Sequence, residues 1–243
     1  ELPVGHTAFI RAGGELEANA PPKGARAWLA ISGGIDVPVV LGSRATDLRS
    51  RFGGFQGRAL LDGDELRLHS PSRSASALMK QLEQSHITTW SAPNEWSSPA
   101  PRHPFLRIVR GADWSRFRKE AVAALLSESF TVTNASDRMG VRLQGNGVTR
   151  DDRDELLSEA VAPGTIQIPG DGQPIVLLGD CQTIGGYPKI AHVITVDLPA
   201  AAQLSSGDIV RFAEVTLAEA QQLLLQRARD LAWFRAGLTL KFT

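Results

Sequence analysis

Cysteine is nearly absent from this sequence. Its single residue, Cys181, cannot close an internal disulfide. That excludes a disulfide-stapled scaffold and fits cytosolic residence. An excess of charge of one sign is missing too: 26 Lys+Arg balance 26 Asp+Glu, so there is no electrostatic footprint for nucleic acid or for an anionic membrane. No apolar run approaches the roughly 20 residues that span a bilayer. The five histidines (His6, His69, His86, His103, His192) show neither i, i+4 pairing nor a cysteine at zinc spacing, and no metal site is expected. G-x-S-x-G, Walker A and G-x-G-x-x-G patterns are absent. The opening Glu1-Leu2-Pro3-Val4-Gly5-His6 has no initiator Met and no charged-then-apolar leader, so the chain reads as a piece of a longer one.

What is present is the composition of a folded protein. The 243 residues are 42% hydrophobic and 21% charged, enough for one large domain or two small ones. Twenty-three Gly and 14 Pro fall between short apolar runs, the punctuation of a mainly β protein. Val-, Ile-, Leu- and Thr-rich runs predict strands over residues 7–11, 25–31, 65–69, 106–110, 131–134, 141–144, 165–168, 174–178, 191–196 and 208–213. Two stretches predict helices. Residues 114–126 place Trp114, Phe117, Ala121 and Leu125 on one face, with Asp113 as N-cap. Thr216-Leu217-Ala218-Glu219 has capping-box spacing and opens a helix to about Phe234, with Leu217, Ala220, Leu224, Ala228 and Leu231 as its stripe. Residues 70–104 are rich in Ser and Pro and read as a long connection. A boundary near Pro101 then divides the chain into domains 1–101 and 102–243.

The two halves echo each other. Ile31-Ser32-Gly33-Gly34-Ile35-Asp36-Val37-Pro38 leads to Leu61-Asp62-Gly63-Asp64, and Gly185-Gly186-Tyr187-Pro188 leads to Ser205-Ser206-Gly207-Asp208. Each half reads as a strand, a Gly-Gly turn, an excursion, and a Gly-Asp turn into a further strand. Two copies of one β unit account for this.

Two clusters carry chemistry. In Ser136-Asp137-Arg138-Met139-Gly140-Val141-Arg142, an extended chain would put Arg138 and Arg142 on one face, where two guanidiniums grip a carboxylate or phosphate. The alternative is an Arg–Asp pair that pins a turn. The second cluster runs from Asp180 to His192: Asp180-Cys181-Gln182-Thr183-Ile184-Gly185-Gly186-Tyr187-Pro188-Lys189-Ile190-Ala191-His192. A carboxylate, amide, hydroxyl, ammonium and imidazole crowd one loop, with two glycines that admit a ligand close to the backbone. Its alternative is a solvated turn whose Asp and Thr satisfy local amides. Gln167 on a neighbouring strand adds an amide. Cys181 has no adjacent base, which argues against a thiol nucleophile.

These stretches resemble one family. Ile31 to Pro38, Leu41-Gly42-Ser43-Arg44-Ala45-Thr46-Asp47-Leu48, Gly53-Gly54-Phe55-Gln56-Gly57-Arg58, Leu61 to Asp64, Ser136 to Gly140, Ile166-Gln167-Ile168-Pro169 and Gln182 to Lys189 occur in the order seen in the KipA family, the group of 5-oxoprolinase C subunits. The same group is also called allophanate hydrolase subunit 2 or the biotin-dependent carboxyltransferase-like family. The resemblance implies a mainly β fold of two tandem cyclophilin-like β-barrel domains with a few peripheral helices. It also implies a first barrel truncated at its N-terminus, because full-length members carry roughly 80 further residues there.

Function implied by the resemblance is that of one component of an ATP-dependent 5-oxoprolinase, opening 5-oxo-L-proline to L-glutamate. It would act in a cytoplasmic hetero-oligomer with a KipI-like partner of the B type and a further partner of the A type, with ATP and Mg handled through the complex. Asp180, Lys189 and Arg138 would be catalytic. Gln182, Thr183, Gly185, Gly186, Tyr187, Arg142, Gln167 and His192 would hold substrate. Two rivals stand beside this reading. One is a biotin-dependent carboxyltransferase acting on urea or a similar amide, with biotin carried elsewhere since no Met-Lys-Met motif is present. The other is a non-catalytic, KipI-binding regulator.

Overall fold

A computed structural model describes residues 2–19, 24–93, 105–150 and 156–242. The chain forms two units: Glu1–Leu16, Trp28–Asn94 and Leu238–Thr243 in one, and Glu17–Ala27 with Glu95–Gly237 in the other. The expected boundary at Pro101 lies outside the described residues.

In the first unit, β1 (Thr46–Asp47) and β2 (Phe52–Gly53) make a two-residue ladder. Helix α1 (Arg73–Ser85) corrects the reading of residues 70–104 as connection throughout. Ser72 caps it, accepting from the Ala75 amide at 3.2 Å, and His86 ends it in the left-handed conformation. The Ser/Pro content marks the helix start, while Ala75, Leu78 and Leu82 at helical spacing form its inner face. The expected strands at 7–11 and 65–69 reduce to single bridges, Ala8↔Ile87 and Ile35↔Leu68. The strand expected over 25–31 does not form either. Residues 25 and 26 belong to the second unit, where the Gln203 side chain accepts from both amides at 3.0 Å. The runs at 7–11 and 65–69 do meet neighbours, through the Phe9 amide to the His86 carbonyl at 2.8 Å and the Asp36 amide to the Arg67 carbonyl at 2.8 Å, but each pairing stops after a single bridge.

The second unit is a closed barrel. In chain order its elements are β3 (Phe105–Arg110), a 3₁₀ turn (Trp114–Arg116), α2 (Lys119–Ser127), β4 (Phe130–Val132), β5 (Gly140–Gln144), β6 (Glu159–Ala160), β7 (Thr165–Gln167), β8 (Ile175–Leu177), β9 (Ile184–Gly185), β10 (Lys189–Val193), α3 (Leu198–Ala202), β11 (Ile209–Glu214) and α4 (Leu217–Phe242). Seven strands close in the order β10-β3-β11-β4-β5-β8-β7, while β6 and β9 pair as a separate ribbon. Closure leaves no open sheet edge. Every barrel pairing is antiparallel except β3 with β11, which is parallel. Alternation fills the core with Leu106, Ile108, Phe130, Val132, Val141, Leu143, Ile166, Val176, Val210 and Phe212.

The echo between the halves survives as one shared turn. The Leu61 amide donates to the Asp64 side chain at 2.7 Å and the Asp64 amide returns to the Leu61 carbonyl at 3.1 Å. Ser205 and Asp208 repeat this at 2.8 and 3.0 Å. Gly63 and Gly207 sit between them at φ +85° and +88°, which a side chain would resist.

The two expected helices form with changes. Residues 114–126 split at Phe117 into the 3₁₀ turn and α2. The capping box of α4 is present, with the Glu219 amide donating to Thr216 Oγ1 at 3.2 Å and the Thr216 amide donating to the Glu219 carboxylate at 2.7 Å. The half-buried row of α4 runs through Ala220, Leu223, Arg227, Asp230 and Phe234, so the expected stripe is corrected. Three consecutive leucines, 223–225, made neighbouring ridges indistinguishable by hydrophobicity.

One buried carboxylate locks the barrel's seam. Asp197 accepts from the Arg107 amide at 2.8 Å, its Nε at 2.9 Å and its Nη2 at 2.5 Å. Asp197→Ala should lower unfolding free energy by about 2 kcal/mol, because it strands a backbone amide and a partly buried guanidinium. A lower denaturant midpoint at unchanged slope is the check.

Candidate functional site

Lys189 is the residue that the fold treats most unusually. Its residue exposure is 5%, in the barrel wall, where a lysine is rarely found without a partner. A β-bulge places it there. The β10–β7 register slips between Lys189↔Gln167 and Ala191↔Ile166. The slip breaks alternation, and Lys189, Ile190 and Ala191 are all buried.

The turn that follows β3 supplies its main support. The Asp113 carboxylate accepts the Lys189 amide at 2.8 Å, and the Asp113 amide donates to the Lys189 carbonyl at 3.1 Å. The same carboxylate lies 3.6 Å from Lys189 Nζ and 3.3 Å from Arg116 Nε. Gly111 makes this approach possible, since a Cβ there would collide with the Lys189 carbonyl oxygen. Asp113 was expected as a helix N-cap. It makes no side-chain capping bond, because its oxygens serve Lys189 instead.

The second partner of Lys189 is Glu159, at 2.8 Å from Nζ. Glu159 stands on β6, opposite Gly185 of β9. The Val161 amide donates to the Thr183 carbonyl at 2.9 Å, and a Cβ on Gly186 would lie 3.2 Å from Ser158 Oγ. Residues 156–161 therefore lie across the Gly185-Gly186 turn as a strap.

Beneath the strap, the buried Gln167 amide donates to the Tyr187 carbonyl at 3.4 Å. Its Nε2 would be 2.7 Å from a Cβ on Gly185, and that of Gln182 3.4 Å. Gln167, Gln182, Gly185 and Lys189 thus meet around one turn. Thr183 contributes its carbonyl. The Tyr187 ring is half-exposed. His192 is half-buried, with Nδ1 3.3 Å from Thr165 Oγ1. Burial first, and the Lys189 charge second, push the His192 imidazole below its ordinary value.

Arg138 and Asp180 form a pair of their own at 2.8 Å, with the side chains 58% and 49% exposed, so the contact is largely solvated. Arg142 is exposed on β5. Arg138 lies in the bend that precedes this strand, so strand alternation does not carry from one to the other. Burial, then the neighbouring Asp180 charge, raise the Cys181 thiol above its usual value, which keeps it protonated.

Residues 1–214 match the carboxyltransferase domain, subdomain A and B. The chain belongs to this family. It is 36% identical over 229 residues to the 5-oxoprolinase C subunit of Escherichia coli (strain K12), covering 92% of this chain and 68% of that one. The Haemophilus influenzae 5-oxoprolinase C subunit is 35% identical, over 88% of this chain and 64% of its own length. Urea amidolyase of Saccharomyces cerevisiae is 30% identical over 96% of this chain and 13% of that protein. Among solved structures, urea amidolyase of K. lactis matches at TM-score 0.73 and 27% identity, over 86% of this chain and 13% of that one. The chain spans about two thirds of the length of the 5-oxoprolinase C subunits.

This carboxyltransferase-family chain also holds a cleft of about 810 Å³ in its first unit, which the sequence reading left out. Ile35, Arg44, Thr46, Phe55, Arg58 and His69 are among its lining residues. Arg58 forks onto Asp64 with two bonds of 2.7 Å and holds that carboxyl down at about 2. Asp113 and Glu159 were missed as partners of Lys189. Asp113 sits in a cap-like pattern, and Glu159 follows the acidic run Asp151-Asp152-Arg153-Asp154-Glu155, which reads as solvated surface.

The His192 environment is measurable. Its NMR titration midpoint should fall below 6.5, and Lys189→Met should move it part-way back. The unfolded chain takes up this proton first, so stability is full above pH 6.5 and declines as pH falls towards the folded value.

Proposed function

We propose that this chain is the C-type component of a cytoplasmic 5-oxoprolinase complex, and that it binds 5-oxo-L-proline for ring opening to L-glutamate. The observation that carries the reading is the buried Lys189 ammonium beside the Gly185-Gly186 turn, in a chain 36% identical to a 5-oxoprolinase C subunit. In this reading Lys189 holds the negative end of the substrate. Gln167 and Gln182 offer amides to the lactam, and Gly185-Gly186 lets the Gln167 amide and the strap pack against the backbone beside it. Asp180, paired with Arg138, polarises the lactam N–H. Tyr187, Thr183, Arg142 and His192 orient the ring from the periphery.

A triphosphate does not fit these residues. Arg138 faces Asp180, and Lys189 keeps Asp113 beside it even when Glu159 moves away, so neither offers the run of uncommitted cations that a triphosphate needs. ATP and its Mg are therefore assigned to the partner chains, of the KipI-like B type or the A type. Activity then belongs to the assembled complex.

The match to urea amidolyase over 86% of this chain favours one further reading, carboxyl transfer to an amide from biotin carried on another domain. One co-expression experiment separates the two. With the full-length chain and its KipI-like partner, ADP release that requires 5-oxoproline supports ring opening. Lys189→Ala should then cost kcat/KM about 100-fold (about 2.7 kcal/mol). Turnover only when biotin carboxylase components are added supports carboxyl transfer. A Lys189→Ala complex with wild-type kcat and KM would remove Lys189 from the site.

A further inference from the structure

Lys189 and Glu159 are unequal partners. The lysine side chain is 6% exposed and the glutamate 64%. Lys189 is fixed along its backbone by Asp113, by the bulge and by the strands on both sides. Glu159 stands on a strand of two residues, held to β9 by the pairs Glu159↔Gly185 and Ala160↔Ile184. If this ion pair opens, the glutamate is the member that moves.

Asp113 does not remove the need for a second anion. It lies 3.6 Å from Nζ, beyond hydrogen-bond length, and its oxygens also serve the Lys189 amide and Arg116. The short contact at 2.8 Å belongs to Glu159 alone among the described residues. From this asymmetry, resting on the 5-oxoprolinase reading above, we infer that Glu159 is a resident stand-in for the substrate carboxylate, which displaces it from Lys189 Nζ.

The exchange replaces one carboxylate by another at the same ammonium. Charge is conserved, and the cost is confined to the strap. Glu159 moves into water, where its carboxylate is solvated. The vacated contact lies against Gly185 and the Gln167 amide, so a ligand anchored by its carboxylate places its remaining atoms against amide groups. The substrate class is thereby a small amide that carries a carboxylate. A neutral amide such as urea has no group to exchange.

Three probes on the full chain test this: 5-oxo-L-proline, 2-pyrrolidinone (the same lactam without the carboxylate) and acetate. In Glu159→Gln, both carboxylates should bind about tenfold more tightly and 2-pyrrolidinone no differently. Glu159 is exposed, and an unchanged unfolding midpoint shows that the variant folds. Labelling of Lys189 with acetic anhydride, read by peptide mass spectrometry, should rise several-fold in Glu159→Gln and fall as either carboxylate is added. A gain for acetate and Lys189 protection by it, with no 5-oxo-L-proline binding, upholds the exchange and removes 5-oxoproline as the ligand. Equal carboxylate affinities and equal Lys189 labelling in parent and variant overturn the inference.

Discussion

A lysine can sit in the wall of a β-barrel only if a carboxylate goes in with it. Here the reciprocal contact between Asp113 and Lys189 meets that condition. It satisfies a backbone amide and places negative charge beside an ammonium that would otherwise be costly to desolvate. It also joins the end of β3 to the start of β10. Gly111, the bulge and the strap take their meaning from this contact: the first lets the turn approach, the second takes Lys189 out of the strand's alternation, and the third brings Glu159.

Charges in the second unit fall into two physical classes. Lys189 and Asp113 are shielded, so salt in solution screens them weakly. Arg138 and Asp180 are half in water and contribute little to stability. Exposed pairs of this kind rearrange readily around an incoming group. Among the described residues the two pairs are separate contacts, one shielded by the barrel and one solvated.

Much of the barrel was legible because apolar runs of four to seven residues announce strands with buried inner faces. All seven barrel strands overlap expected ones, although β10 begins at Lys189 rather than 191 because a buried lysine does not look like a strand residue. The two-residue strands β6 and β9 left no alternation to read. In the first unit, the expected runs at 7–11 and 65–69 shrink to single bridges, since the length of a pairing depends on neighbours that local sequence does not reveal. The crowding of polar groups from Asp180 to His192 was visible. Their partners Asp113 and Glu159 were not, because one resembled a helix cap and the other a solvated acidic run. Contacts across 76 and 30 residues of sequence carry no local signature.

The parallel pairing of β3 with β11 has a consequence for biosynthesis. Leu106 pairs with Phe212, about a hundred residues downstream, and the other neighbour of β3, β10, also comes late. A nascent chain that has just extruded β3 must hold Leu106 and Ile108 without their final neighbours until residues near 214 leave the ribosome. Closure is thus a late, entropically demanding event, and the interval before it is when a chaperone would have most to protect.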